Sequence, residues 1–185
     1  MNPADPGPSD ILRPLRRTRQ YRDFEPRPVD RADLDALVDV ARWSGSGSNS
    51  QPWRFIVIQD PTTIRAIHEV GLPQTRGVAT APAAIAIVLP SDPDRAVHDA
   101  YDDGRAAERI LVAATMLDLG AGISWIRSDV REAVSRILGL PADRMVRTIV
   151  QIGHPTEAAR QPKSAPGKAR LPREQVVLEE RWPSD

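Results

Sequence analysis

Four short apolar segments, separated by stretches of helical periodicity, most narrowly limit the folds open to this chain. They are residues 53–58, 83–89, 123–126 and 147–152, in which β-branched, aromatic and alanine residues dominate. Short runs of this kind are typical of buried β-strands. Between them, apolar residues recur every three or four positions, as in amphipathic helices. The sequence therefore predicts a protein built from both helices and strands.

Helical periodicity is clearest over about residues 99–119, where apolar residues share one face and Gly120 follows as a stop signal. The N-terminal stretch also favours a helix, but Pro14 fits only its first turn because proline lacks a backbone N–H. Capping residues and glycine stops place the remaining helices. The predicted helices lie within residues 11–27, 30–43, 60–71, 99–119 and 129–139.

The two ends of the chain differ from its middle. Residues 1–9 are rich in proline and offer nothing to bury, which predicts a flexible N-terminal arm. Residues 154–185 contain several prolines and almost no apolar residues before Val176, Val177 and Leu178, which form a strand-like segment. Such a tail is too long for an ordinary connection, so it is either disordered or packed outside its own domain. We favour packing on a second copy of the chain. Residues 10–185, including this tail, are predicted to form a single domain.

Composition excludes several classes of protein. The 185 residues include no cysteine, so disulfides, thiolate metal sites and a cysteine nucleophile are ruled out. The 25 basic and 25 acidic residues balance, which argues against a general nucleic-acid binder. The three histidines stand in unrelated contexts, and we expect no metal site. Without a membrane-length apolar stretch or a signal-like start, the protein is predicted to be cytoplasmic, with no membrane partner.

Three polar clusters carry the possible chemistry. They are residues 18–24, where arginines recur, the Gly/Ser/Asn loop at 47–53, and the basic segment 168–172. Arginine binds phosphate through two parallel hydrogen bonds, and lysine adds a point charge. Each cluster also has a plainer explanation: a solvated helix face, a turn or a basic tail. Together they favour a site for a phosphorylated cofactor that carries a planar ring.

The order of these motifs resembles the nitroreductase family of flavin enzymes. The matching segments are TRQYRDFEPRPV, SGSGSNSQPWRFIVI, DDGRAAERILVAATMLDLGAGISW, IVQIGHP and KARLP, which together span about residues 10–180. The resemblance implies an α+β, nitroreductase-like three-layer sandwich with a mixed, mostly antiparallel sheet. It also implies a homodimer in which the C-terminal arms are exchanged between protomers and the flavins lie at the interface.

Matched position by position, the resemblance assigns a set of FMN-binding residues. Arg19, Lys168 and Arg170 would hold the phosphate, with Thr18 and Gln20 as lesser contacts. Arg22 would lie near the N1/O2 edge of the flavin ring, and Ser48, Asn49 and Gln51 would line the ring or ribityl chain. Two positions depart from the family pattern: Gly45 stands where proline is usual, and Gln20 where serine is common.

The function that the resemblance implies is an FMN-dependent oxidoreductase. It would take hydride from NADH or NADPH and reduce nitroaromatic, quinone or related small acceptors by a ping-pong mechanism at flavin N5, with Arg22 as electrostatic support. One alternative is a flavoprotein of the same fold that stores FMN or senses redox state without turnover. A second alternative is a small module that binds anions or nucleic acids through its arginine cluster.

Overall fold

A four-stranded antiparallel sheet forms the centre of the computed structural model, which describes residues 7–165 and 168–182. The strands stand in the order β1–β2–β4–β3, so that β2 and β4 are central and β1 and β3 form the edges. Each of the four predicted apolar segments overlaps one strand. The strands are β1 (Arg54–Ile58), β2 (Ala83–Pro90), β3 (Gly120–Trp125) and β4 (Arg144–Gly153).

The four helices predicted between residues 30 and 139 are present, whereas the N-terminal stretch forms two short helices that end at Arg17 and the tail contains two short helices that the sequence did not predict. Pro14 lies in the first turn of its helix, and Asp60 caps another by accepting hydrogen bonds from the backbone N–H groups of Thr62 and Thr63. Within the described residues, no helix has the length and apolar character needed to cross a membrane. The helices are α1 (Pro8–Ile11), α2 (Arg13–Arg17), α3 (Arg31–Arg42), α4 (Pro61–Gly71), α5 (Ala96–Met116), α6 (Arg131–Ile137), α7 (Glu157–Arg160) and α8 (Arg173–Val176).

Helices cover both faces of the sheet. Successive side chains of β2 point to opposite faces, and seven of its eight residues are buried because helices pack on each side. The α3/α5 face buries Leu34, Leu37, Ile85, Ile87 and Ile110, among others. The α4/α6 face buries Ile64, Ile67, Ala84, Ala86, Val134 and Ile149, among others. This arrangement confirms the predicted α+β three-layer sandwich.

Sequence patterns were less informative at the edges of the sheet. Strand β1 was predicted to be buried, but only Ile58 is fully so, because β1 has a neighbour on one side only. All strand ladders of the described chain are antiparallel, and the parallel component is an isolated bridge between Gln20 and Ala121.

The ends of the chain also differ in part from the sequence pattern. The strand-like segment 176–178 is not a strand: α8 ends at Val176, and Val177 and Leu178 are exposed without a partner strand. Within the described residues, neither edge strand of the sheet pairs with this segment. Of the predicted arm, residues 1–6 lie outside the described part of the chain, and Pro8 and Ser9 belong to α1.

Asp103 is an acidic residue buried between α5 and β4. Its side-chain Oδ2 accepts a hydrogen bond of 2.7 Å from Thr148 Oγ1, and its Oδ1 has no hydrogen-bond partner. Burial raises the pKa of Asp103 to about 6, although the hydrogen bond from Thr148 and the charges of Arg147 and Arg131 act in the opposite direction. Because the folded protein favours the neutral acid, ionisation of Asp103 above this pH destabilises the fold.

We predict that Asp103→Asn stabilises the protein at neutral and alkaline pH. The contribution of Asp103 to stability is fully present below its unfolded pKa of 3.8 and is lost as the pH rises through about 6. The loss amounts to about 3 kcal/mol at most, since each pKa unit corresponds to about 1.4 kcal/mol. Urea unfolding at pH 8 should give a higher free energy of unfolding for the variant, and the difference should shrink towards pH 4.

The exposed Asp94 provides a matched control, since Asp94→Asn removes an acidic group without relieving burial. If Asp103→Asn and Asp94→Asn gave the same dependence of stability on pH, the assignment of an uncompensated buried charge to Asp103 would be wrong.

Candidate functional site

The segment that follows α2 is fixed against the ends of β3 and β4. Tyr21 N–H donates a hydrogen bond of 2.8 Å to the Ala121 carbonyl, and Glu25 N–H donates one of 2.8 Å to the His154 carbonyl. Between them Phe24 is buried, with 4% of its surface exposed. These contacts hold residues 20–25 in an extended conformation and set the direction of the neighbouring arginine side chains.

A strongly cationic cavity of about 630 Å³ lies beside this segment. We call it the arginine pocket. Its lining contains four arginines besides Arg19 and no acidic residue, so an anion would meet no repulsive carboxylate there. The lining residues are Arg16, Arg17, Thr18, Arg19, Tyr21, Arg160, Ala169 and Arg170.

The structure brings three of the five predicted phosphate-binding residues, Thr18, Arg19 and Arg170, into the lining of the arginine pocket. Lys168 is exposed two residues from Arg170 and is not part of that lining. Arg160 was missed by sequence reasoning because it lies at the end of α7, outside the three polar clusters.

Arg19 is oriented by its neighbours within the pocket. Its Nε donates a hydrogen bond of 2.9 Å to the Tyr21 hydroxyl, and its guanidinium lies 5.0 Å from the centre of the Tyr21 ring. Its Nη2 also donates to the backbone carbonyl of Arg160. The N-terminal segment and the start of the tail, which are far apart in sequence, therefore meet at Arg19.

Gln20 and Arg22 lie at the β3 edge of the sheet. The Gln20 Oε1 accepts hydrogen bonds of 3.2 Å from both Ile123 N–H and Arg22 Nη2. The buried Gln151 supports the same region, since its Nε2 donates a bond of 3.2 Å to the Tyr21 carbonyl. Gln20 therefore braces Arg22 against β3, and only its amide nitrogen is left to contact a ligand.

Close packing at this edge depends on a glycine in β3. A Cβ atom on Gly122 would collide with the Tyr21 carbonyl oxygen and would lie 2.6 Å from Gln151 Nε2. Only glycine allows the extended segment to approach the strand so closely. The position of Arg22 thus depends on a residue one hundred positions away in sequence.

The predicted ring-binding residues lie on a largely exposed loop, residues 45–51, which we call the polar loop. Its backbone is unusual. Ser48, Asn49 and Gln51 all have positive φ angles, of 50°, 54° and 47°. Non-glycine residues in this left-handed region store strain that the surrounding contacts must offset, and such residues cluster at functional sites. Asn49 and Gln51 are also joined by a 3.2 Å hydrogen bond between their side chains.

Within one chain, this loop and the arginine pocket lie near opposite ends of α5. The loop is attached near the start of the helix, where Asp102 Oδ2 accepts a hydrogen bond from Gly47 N–H. Arg17 and Arg160 of the arginine pocket also line a neighbouring cavity against Met116, at the end of the helix. The 14 residues from Asp102 to Met116 correspond to about 21 Å along the helix axis.

Three buried carboxylates on α5 were missed by sequence reasoning. Asp99, Asp102 and Asp103 have at most 3% of their surface exposed, although they stand on a helix whose buried face is otherwise mainly apolar. Their spacing over one turn was a possible signal, but acidic residues on a helix are mostly solvent-exposed. No group of three or more residues able to hold a metal ion occurs in the described part of the chain.

Comparison with known proteins links this fold and pocket to one class of enzyme. The model of the nitroreductase family matches residues 15–77, which include the start of the arginine pocket and the polar loop. An Archaeoglobus fulgidus protein named as an NADH dehydrogenase/NAD(P)H nitroreductase is 29% identical over 80% of this chain and 87% of its own length. A Thermus thermophilus NADH dehydrogenase is 26% identical over 86% of this chain and 91% of its own.

Solved structures show the same fold. An FMN-dependent nitroreductase from Clostridium difficile superposes with a TM-score of 0.75 at 22% identity, covering 91% of this chain and 98% of that one. Nitroreductase A from Vibrio parahaemolyticus superposes with a TM-score of 0.77 at 19% identity, covering 94% of this chain and 76% of that one. The fold is therefore that of the nitroreductases.

Sequence and structure agree in the resemblance of this protein to the nitroreductase family. The protein is an oxidoreductase of the class that uses FMN with NAD(P)H. The resemblance inferred from its motifs is confirmed.

Proposed function

We propose that this protein takes hydride from NADH or NADPH and reduces nitroaromatic, quinone or related small acceptors by a ping-pong mechanism. The observation that carries the proposal is the arginine pocket, which adjoins the fixed segment containing Arg22. A phosphorylated cofactor that carries its own redox chemistry suits a site with cations and hydrogen-bond donors. We further propose a cytoplasmic location, where NADH and NADPH are available.

The donor groups present fit the phosphate of FMN. Arg19 and Arg170 would bind it through their guanidinium groups, with the Thr18 hydroxyl as a further donor and Lys168 as a nearby charge. Arg19 donates to the Arg160 carbonyl, a neutral acceptor. A phosphate dianion would be a stronger acceptor for the same guanidinium.

The ring-binding residues support a site formed by two chains. Arg22 lies at the β3 edge of the sheet, whereas Ser48, Asn49 and Gln51 precede β1 at the opposite edge. A single flavin can therefore contact both groups most easily if Arg22 comes from one chain and the polar loop comes from a second chain. In this proposal residues 10–185 form one domain, and the protein is a homodimer.

Exposed apolar residues on α5 and on the tail support this dimer. Val97, Tyr101 and Met116 are each about 70% exposed on α5, an unusual exposure for large apolar side chains spread along one helix. The tail exposes Leu171, Val176, Val177, Leu178 and Trp182. In this proposal the tail, residues 154–185, starts on its own chain up to Arg170 in the arginine pocket and is exchanged beyond it, which would bury this apolar surface against the partner chain.

The chain's own residues would bind and orient the two substrates in turn. FMN, when bound, supplies a ring that accepts hydride from NAD(P)H and passes it to the acceptor. Arg22, held by Gln20, would place its positive charge beside the N1/O2 edge, where it favours negative charge on the ring. The polar loop would present the hydroxyl and amide groups of Ser48, Asn49 and Gln51 to the ring or the ribityl chain.

The first prediction of this proposal concerns colour and turnover. The purified protein should carry flavin absorption, anaerobic NADH or NADPH should bleach it, and a nitroaromatic or quinone should restore it. Steady-state rates should give parallel double-reciprocal lines, as expected for a ping-pong mechanism. Bound flavin that neither nucleotide bleaches would favour the storage or sensing protein. Colourless protein with salt-dependent polyanion binding would favour the interaction module.

The second prediction concerns Arg22. Arg22→Ala should lower the two-electron potential of the bound flavin by about 20–60 mV. Loss of a charged hydrogen-bonding partner costs about 1–3 kcal/mol, and 30 mV corresponds to about 1.4 kcal/mol for a two-electron couple. Reduction by NAD(P)H should slow as well. Arg27→Ala, at an exposed position of the same segment, is the control. An unchanged potential in Arg22→Ala would refute this role.

The third prediction concerns the tail. A chain truncated before Ser164 should release FMN and form a weaker dimer, since it lacks Lys168, Arg170 and the apolar residues beyond them. The full-length double variant Lys168→Ala/Arg170→Ala should lose FMN affinity but keep the dimer, which separates the two roles. Sedimentation and flavin titration measure both properties. A truncated protein that kept FMN and dimer alike would contradict the exchanged arm.

A further inference from the structure

The strained polar loop is held by charged residues of α5 rather than by its own contacts alone. Asp102 Oδ2 accepts a hydrogen bond of 3.3 Å from Gly47 N–H, immediately before the three residues with positive φ. Asp102 is buried, with 3% of its surface exposed. A hydrogen bond to a buried carboxylate is stronger than one between neutral groups, and it restrains the backbone at this point.

Arg105 completes this attachment on the next turn of the helix. Its Nη1 lies 3.5 Å from Asp102 Oδ1, so the carboxylate contacts the loop with one oxygen and Arg105 with the other. The guanidinium of Arg105 occupies the space beside Gly45, where a Cβ atom would collide with Nη2. The glycine that replaces the family's usual proline therefore makes room for Arg105.

A second pair holds the far side of the loop. Arg95 Nη2 donates a hydrogen bond of 3.3 Å to Ser50 Oγ and lies 3.4 Å from Oδ1 of the fully buried Asp99. The loop is thus attached to α5 before and after Ser48 and Asn49. Its internal bonds, such as Gln51 N–H to Ser46 Oγ at 2.9 Å, close the remaining turn.

We propose that Asp102 is a positioning residue: together with Arg105 it holds the polar loop in the left-handed conformation that presents Ser48, Asn49 and Gln51 to the flavin. This inference rests on the proposed function for the identity of the ligand. Asp102 itself is buried behind the loop and acts through Gly47 and Arg105.

The test compares two adjacent buried aspartates on α5. Asp102→Ala removes both attachments, whereas Asp103→Asn changes a carboxylate of equal burial that contacts Thr148 on β4 instead of the loop. In apoprotein, hydrogen exchange of the backbone amides at residues 45–51 should accelerate about tenfold in Asp102→Ala. It should stay unchanged in Asp103→Asn, because amides of an exposed loop exchange by local opening and not by the global unfolding that Asp103→Asn makes rarer. This measurement requires no flavin and tests the positioning role by itself.

Flavin binding tests the consequence for the ligand. The dissociation constant of FMN should rise about tenfold or more in Asp102→Ala, as expected for loss of a hydrogen bond to a charged acceptor, and the visible circular dichroism of bound flavin should change. Gly45→Ala, which displaces Arg105 but keeps Asp102, should raise the dissociation constant by a smaller factor. It also provides a second variant should Asp102→Ala not fold.

The two proposals can fail separately. A wild-type protein that binds no FMN overturns the proposed function, while the exchange measurement still tests the attachment of the loop. If wild type binds FMN but Asp102→Ala and Gly45→Ala match Asp103→Asn in exchange at residues 45–51 and in FMN affinity, Asp102 has no positioning role.

Discussion

The rest of the structure depends on the pairing of β2 with β4, two antiparallel strands that are covered by helices on both faces. The side chains of β2 are all apolar, and β4 buries Val146, Ile149, Val150 and Ile152, so neither face can be left in water. Helices α3 and α5 cover one face, and α4 and α6 cover the other. Burial of this central pair therefore places α5, and with it the polar loop, relative to the sheet.

The proposed flavin-binding residues collect where this packing ends. The edge strand β3 is open on one side, and residues 20–22 fill part of that edge through the Gln20–Ala121 bridge and the bond from Tyr21 to the Ala121 carbonyl. The polar loop precedes the other edge strand, β1. Backbone groups at sheet edges are free to fix irregular segments, and such segments can present side chains to a ligand. A flavin site divided between the two edges accordingly favours two chains.

Buried charge serves different purposes at neighbouring positions of α5. Asp103 is poorly compensated, and its raised pKa marks it as a cost to stability above about pH 6. Asp102 and Asp99 are instead paired with Arg105 and Arg95, and each pair also contacts the polar loop. If α5 contributed only to the core, apolar residues at these positions would give equal or greater stability, since buried ion pairs seldom add stability. The paired carboxylates are more readily explained by attachment of the loop.

The sequence by itself determined the four strands and the helices α3 to α6, since apolar periodicity, caps and glycine stops depend on neighbouring residues. It also located the phosphate-binding candidates Thr18, Arg19 and Arg170, because arginine clusters can be recognised without knowledge of contacts. Only the tertiary structure decided that Arg160 joins the arginine pocket, that Gln20 braces Arg22, and that Asp102 attaches to Gly47. The contacts of Arg160 with Arg19, of Gln20 with Ile123 and of Asp102 with Gly47 join residues 55 or more positions apart. No local pattern encodes which distant backbone group a side chain will meet. Local periodicity thus specified the main helices and strands, and burial of the central strands β2 and β4 decided which of them come into contact.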